Sequence, residues 1–133
     1  MLMEVKDVQL VSNAVMNMLH EEEIEIINTF HDATIAGDIA KIDELFEVVK
    51  FDIEDHFSTE EEMMEQSQFY AFQMHKSEHD TMRKKIDKLY ASWKAHKDPL
   101  EIKEFLQDEF KHWITLHISR WDSETAMHLG DTN

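Results

Sequence analysis

With 133 residues, two glycines, one proline and no cysteine, the chain is sized for one domain, 1–133, and lacks the tight-turn residues that sandwiches, barrels and glycine-rich phosphate loops need. Its 29 acidic against 13 basic side chains, a formal charge of -16, repel phosphate backbones and anionic lipid, so no nucleic acid and no membrane is expected among its partners. The absence of cysteine excludes disulfides, thiolate nucleophiles, iron–sulfur clusters and covalent haem, and leaves only nitrogen and oxygen ligands for any metal.

The opening MLMEVKDVQLV reads as a short N-terminal arm. It has no basic stretch followed by an apolar run, and nothing in the chain approaches the ~20 apolar residues of a membrane span, so a cytoplasmic location is expected. From there on apolar positions recur in steps of three and four, the amphipathic helix signal. The first helix is predicted over 12–36, ended by Gly37, with Asp38 capping the next. The second carries Ile42, Phe46, Val49, Ile53, His56, Glu60 and Met63 on one face and ends near 66–68. A third carries Phe72, His75, His79, Met82, Ile86, Leu89 and Trp93 and closes before Asp98-Pro99. Proline opens the fourth, with Ile102, Phe105, Leu106, Phe110, Trp113, Leu116 and His117 inward, and a polar segment over 123–133 finishes the chain. Four helices of about 20 to 28 residues with short connections make an all-α, antiparallel up-down-up-down four-helix bundle.

Polar residues interrupt these seams. His56 and Glu60 stand on helix two, His75 and His79 on helix three, His20 beside Ile24, Ile27 and His31 on helix one, and His117 in register with Trp113 on helix four. One histidine on an apolar face is more often a hydrogen-bonded core residue than a ligand. Five that converge from four helices, with a buried carboxylate among them, are hard to satisfy in a dry core except by a shared cation. The i, i+4 spacing of His56/Glu60 and His75/His79 puts each pair on one face. Asp122, five residues after His117, comes within reach if the helix unwinds or bends near Trp121. Five imidazoles and two carboxylates exceed the six positions of one first-row ion. Two ions therefore fit better, with three histidines on one, two on the other, both carboxylates and a solvent oxide or hydroxide bridging, and one position open. Ligand type alone leaves iron, zinc, copper, cobalt and nickel.

His31, His96, His112 and His128 fit no such pair, His31 being expected to pack near the bundle end. Glu109-x-x-His112 is a single E-x-x-H match, short of the two that ferritin-like carboxylate centres carry. The nine methionines and Trp93, Trp113 and Trp121 read as core filling.

Four segments, HEEEIEIINTFHDATIAGD from His20, HFSTEEEMM from His56, HKSEHD from His75 and WITLHISRWD from Trp113, together resemble the hemerythrin family, and within it the single-domain bacterial members. The resemblance implies a non-haem centre of two iron ions with an oxide or hydroxide bridge. His75, His79 and His117 would hold the six-coordinate iron, His20 and His56 the iron with the open site, and Glu60 and Asp122 would bridge. It implies a protein that binds dioxygen reversibly for storage, carriage or sensing. Separately from the resemblance, a monomer or small homo-oligomer is expected. The alternative is a redox enzyme using the same irons on peroxide, nitric oxide or ferrous iron. Three departures from the family pattern stand out. Asn17 and Leu19 replace an Asp and a Gln that commonly precede the first ligand, so the support of His20 should differ. No aromatic occurs in the first 19 residues, so the arm should cover the bundle differently. Ser119 stands where the oxygen-carrying animal proteins have a leucine near the gas pocket, which is expected to make that pocket more polar.

Overall fold

A computed structural model describes residues 1–130, and every regular element in it is helical. The arm holds one 3-10 turn, Val5–Asp7. Helix α1, Ala14–Ala36, starts at Asn13, whose side chain accepts the Met16 backbone N–H, and stops at Gly37, left-handed at φ 67. Asp38 accepts from the Lys41 N–H and starts α2, Ile39–Gln66. Helix α3, Phe72–His96, ends on Lys97, itself left-handed at φ 50. Asp98 caps α4, Pro99–Phe105, with proline in the first turn, where no N–H is needed.

The fourth rod continues through a π-turn, Leu106–Phe110, then α5, Lys111–His117, a second π-turn, Ile118–Asp122, and α6, Ser123–Leu129. Helical dihedrals run unbroken through every junction. Part of the predicted polar tail is thus the last turns of the bundle, with Thr125 and Ala126 fully buried, while residues 131–133 lie outside the described residues.

Pairing across the rods follows one rule. His20 and His31 of α1 meet Asp122 and Gln107 of the fourth rod. Trp93, Arg83 and His79 of α3 meet Asp43, Glu54 and Glu61 of α2. His75 and Lys85 of α3 meet Thr125 and Glu109, and Phe30 and Glu23 of α1 meet Phe46 and His56 of α2. Numbers rise on one rod as they fall on its neighbour, as antiparallel neighbours require, and the four rods close a ring.

The core divides along its length. Toward the α1–α2 turn it is apolar, with Phe30, Phe46, Trp93, Ile102, Leu106 and Phe110 buried. Toward the other end histidines and carboxylates replace them. The arm closes one side without an aromatic: Leu2 and Met3 are buried, and Asn28 holds them by accepting both their N–H groups and donating to the Met3 carbonyl.

Two seam positions differ from the periodic reading. On α2 it is Met64 that is fully buried, with Met63 at the margin. Leu116 is 68% exposed: the inward residues of the fourth rod after Phe110 are Ile114, His117 and Ile118, which leaves Leu116 about 100° off that face.

Candidate metal centre

All seven predicted ligand residues meet inside the bundle, and none is more than 2% exposed. Each reaches the centre from its own rod: His20 from α1, His56 and Glu60 from α2, His75 and His79 from α3, His117 from α5 and Asp122 from the second π-turn. The i, i+4 pairs arrive together because one turn separates them on a face. Asp122 arrives for another reason. A π-turn closes i to i+5, so the extra residue rotates Asp122 back over His117. This is the unwinding that the sequence required near Trp121, and Asp122 Oδ1 stands 2.9 Å from His117 Nε2.

The donors form two groups, each compact enough that one ligand atom per residue lies within 4.8 Å of the others: Glu60, His75, His79, His117 and Asp122, and His20, His56, Glu60 and Asp122. Both carboxylates belong to both groups, through different oxygens. Glu60 turns Oε1 toward His79 Nε2 at 3.1 Å and Oε2 toward His56 Nε2 at 2.6 Å. Asp122 turns Oδ1 toward His75 Nε2 at 2.8 Å and Oδ2 toward His20 Nε2 at 2.8 Å.

Protons alone serve this arrangement poorly. The Nε2 atoms of His75 and His79 lie 3.0 and 3.2 Å from that of His117, so three nitrogens face one another. Glu60 Oε1 and Asp122 Oδ1 are buried and accept no well-directed hydrogen bond. Crowded lone pairs with no donor to share are the arrangement a cation satisfies.

The outer nitrogens show how the rings are aimed. His56 Nδ1 donates to Glu23 at 2.6 Å, His79 Nδ1 donates to Glu61 at 2.8 Å, and His75 Nδ1 donates to the Thr125 hydroxyl at 2.6 Å, which in turn donates to the Met64 sulfur. A proton held at Nδ1 leaves the Nε2 lone pair free to face inward. Among the described residues His117 and His20 have no such partner at Nδ1. His117 is held instead by Trp113, stacked on it at 4.4 Å, just as Phe57 stacks on His79 at 4.1 Å. The lack of a partner for His20 matches the departure at Asn17 and Leu19, since Asn17 is engaged with Val11 of the arm.

Charge is balanced locally. Burial disfavours the charged form of His20, but hydrogen bonds to Asp122 and Glu60 raise it to about 9, and His75 is raised to about 9 against burial by the same two carboxylates. His56 is raised well above its usual range, Glu60 and Glu23 overcoming its burial. Burial would raise Glu60, yet His56, His20 and His75 hold it well below the usual carboxylate range. Asp122 is lowered by His117 and His20 against burial and the nearby Glu60 charge. Protons and a cation thus compete for the same nitrogens, and metal uptake must release protons.

The remaining histidines stay outside. His31 is buried near the other end against Gln107, while His96, His112 and His128 are exposed. Ser119 is a correction: it is exposed and its hydroxyl donates to the Leu116 carbonyl, because Ile118 takes the inward position beside His117. The periodic reading also passed over Glu23, Glu61 and Thr125. Glu23 had left a signal, standing three residues after His20 on the apolar face of α1.

Among the described residues no helix is long and apolar enough to cross a membrane. Residues 12–129 match the family described as Hemerythrin HHE cation binding domain. The chain is 47% identical, over 131 residues, to a protein named Bacteriohemerythrin from Aquifex aeolicus (strain VF5), an alignment that covers 98% of this chain and all of that protein. No solved structure matched.

Proposed function

Since the chain belongs to the hemerythrin family, we propose that the buried cluster holds two iron ions and that the protein binds dioxygen reversibly, for storage, carriage or sensing and without turnover. The observation that carries this reading is the division of both carboxylates between the two donor groups. His75, His79 and His117 serve one ion, His20 and His56 the other, and Glu60 and Asp122 both, with a solvent oxide or hydroxide completing the bridge. When bound, a ferrous pair supplies electrons that dioxygen can accept and return.

The chain's own residues explain why such a site could bind and release a small gas. Five neutral donors and only two carboxylates leave the pair less electron-rich than a carboxylate-dominated centre, which favours binding over O–O cleavage. Glu23, Glu61 and Thr125 aim their histidines before any ion arrives, so little reorganisation is left for loading. Phe57, Ile114 and Ile118, each at most 1% exposed, exclude bulk water from the cluster. Three imidazoles stand in one donor group and two in the other, so His20 and His56 would leave their ion with fewer protein ligands and the room for a small gas. A more polar gas pocket built on Ser119 would have suited the redox alternative, but Ser119 lies on the surface with its hydroxyl on the Leu116 carbonyl. In this reading residues 1–133 act as one domain, as a monomer or small homo-oligomer in the cytoplasm.

The test is metal analysis followed by anaerobic optical titration with oxygen. Two irons per chain and an oxygenated spectrum that reverses on deoxygenation are expected. A single ion per chain, zinc after iron reconstitution, or irreversible conversion to the oxidised form at first exposure would overturn the reading.

A further inference from the structure

His79 is held at two places, and one arginine stands behind both. Its Nδ1 donates to Glu61 Oε2 at 2.8 Å, and Phe57 lies flat on its ring, with centres 4.1 Å apart and planes 3° from parallel. Arg83, one turn after His79 on α3, reaches each of these groups. Its Nη1 donates to Glu61 Oε2 at 2.6 Å and its Nη2 to Glu61 Oε1 at 3.2 Å, and its guanidinium stands 5.3 Å from the centre of the Phe57 ring. Arg83, Glu61, His79 and Phe57 thus close a loop of contacts between α3 and α2. The guanidinium is pinned in turn, Nε donating to Glu54 and Nη1 to Asp80, both at 2.9 Å. Among the described residues no other predicted ligand has such backing: Glu23, which serves His56, has no partner at Oε1, a hydroxyl serves His75, and His20 and His117 have nothing at Nδ1.

We infer that Arg83 is a positioning residue of the centre: by holding Glu61 and Phe57 it fixes the tautomer and ring angle of His79, and with them the affinity of the three-histidine group for its ion. The inference rests on the reading of the cluster as a metal site and goes beyond it, since it makes one ion position depend on a side chain that is a ligand of neither. A guanidinium fork meets both oxygens of a carboxylate and so leaves Glu61 one orientation. Glu61 keeps some contact with water, its side chain being 14% exposed. Without Arg83 it would be held only by the proton it is there to hold, and that bond would loosen. The guanidinium also attracts the face of Phe57, and the stacked ring stops His79 from turning. A histidine kept protonated at Nδ1 and kept from turning offers a bare Nε2 in one direction, which is what an ion needs from it.

Nitrogen NMR of the protein labelled with ¹⁵N-histidine reads both consequences, because protonated, bare and metal-bound ring nitrogens resonate apart; the His79 signals are those lost in His79→Gln. In the metal-free wild type His79 should carry its proton at Nδ1 alone, and in Arg83→Met the two tautomers should mix. Titration with zinc(II) alone, buffered by a chelator, then follows each position through its own histidines. Arg83→Met should weaken zinc at His75, His79 and His117 about tenfold and leave zinc at His20 and His56 close to wild type, which also shows that the bundle is intact. Arg83→Lys should recover part of the loss, and Lys84→Met, the same charge change on the exposed neighbouring residue, should match the wild type. An unchanged His79 tautomer together with unchanged affinity, equal weakening at both positions, or equal weakening in Lys84→Met would overturn the role of Arg83, the last by reducing it to net charge. A wild-type chain that binds no zinc would remove the metal centre itself, whereas full zinc binding with wild-type affinity in Arg83→Met would remove the positioning residue alone.

Discussion

His56 and His79 are built alike and backed differently. Each gives its Nδ1–H to a glutamate, Glu23 for His56 and Glu61 for His79, and each turns Nε2 toward Glu60. Behind Glu61 stands Arg83, which also binds Glu54 and Asp80; hydrogen bonds from His79 and then from Arg83 outweigh the burial of Glu61, and its carboxyl lies below the usual range. On the Glu23 side, among the described residues, no Lys or Arg plays that part, and Asp52 is pushed upward by its burial and then by the charge of Glu23. One flank is a closed network that fixes its histidine. The other carries surplus negative charge at the surface. The same hydrogen bond therefore sits in two electrostatic settings, and what distinguishes them is the charge one layer further out.

The largest effect should come from removing what both flanks share. Glu60→Ala leaves His56 and His79 without a common carboxylate and their protons without a counter-charge. It should cost the metal-free protein about 3–5 kcal/mol and lower the bound iron to one ion or none, read by denaturant unfolding and metal analysis. Unchanged metal content would show that Glu60 bridges nothing.

Arg83→Met opens the closed flank. Glu61 would keep its burial and lose its cation, at a cost of about 1–2 kcal/mol after screening by water at this partly exposed place. Urea unfolding checks it, and a variant as stable as wild type would mean that the two flanks do not differ energetically.

Asp52→Asn should act in the opposite direction, and its pH dependence is the sharper test. The Asp52 carboxyl rises from 3.8 to about 7 on folding. The folded state then binds more protons than the unfolded one between those values, so stability falls as pH rises from about 4 to about 7 and is level above. Removing the charge should stabilise the metal-free protein by about 1–2 kcal/mol at pH 8, a half-exposed group being screened, and by little at pH 4. A gain of equal size at both pH values would point to a cause other than this carboxyl.

The smallest effect is expected at Ser119, which lies on neither flank. Ser119→Leu should change stability by less than about 0.5 kcal/mol and leave metal content as it is. A large change in either would place its side chain inside, against the hydrogen bond to Leu116.

How far the centre could be read from the chain depended on periodicity. His56, Glu60, His75 and His79 interrupt regular seams at i, i+4, and a straight helix carries that spacing to a shared face whatever its neighbours do. Asp122 could not be placed by the same reasoning, because five residues are out of phase with 3.6 per turn and only the π-turn restores the phase. Leu116, which periodic counting set inward, and Ser119, which the family resemblance set near the gas pocket, both face outward. Glu61 and Thr125 gave no signal of their own, standing next to Glu60 and in a stretch that read as a polar tail.

By itself the sequence determined that this is a ring of helices with imidazoles and carboxylates where apolar residues belong, since hydrophobic period, the cap at Asp38, the proline that opens the fourth helix and the unsatisfied donor set are local properties. Only the tertiary structure decided which oxygen of Glu60 and Asp122 faces which histidines, which glutamate is paired with Arg83 and which is left beside Asp52. Those are contacts between rods, set by rotation and register of one helix against another, and a hydrophobic period constrains which face turns inward without fixing what each polar group will meet there.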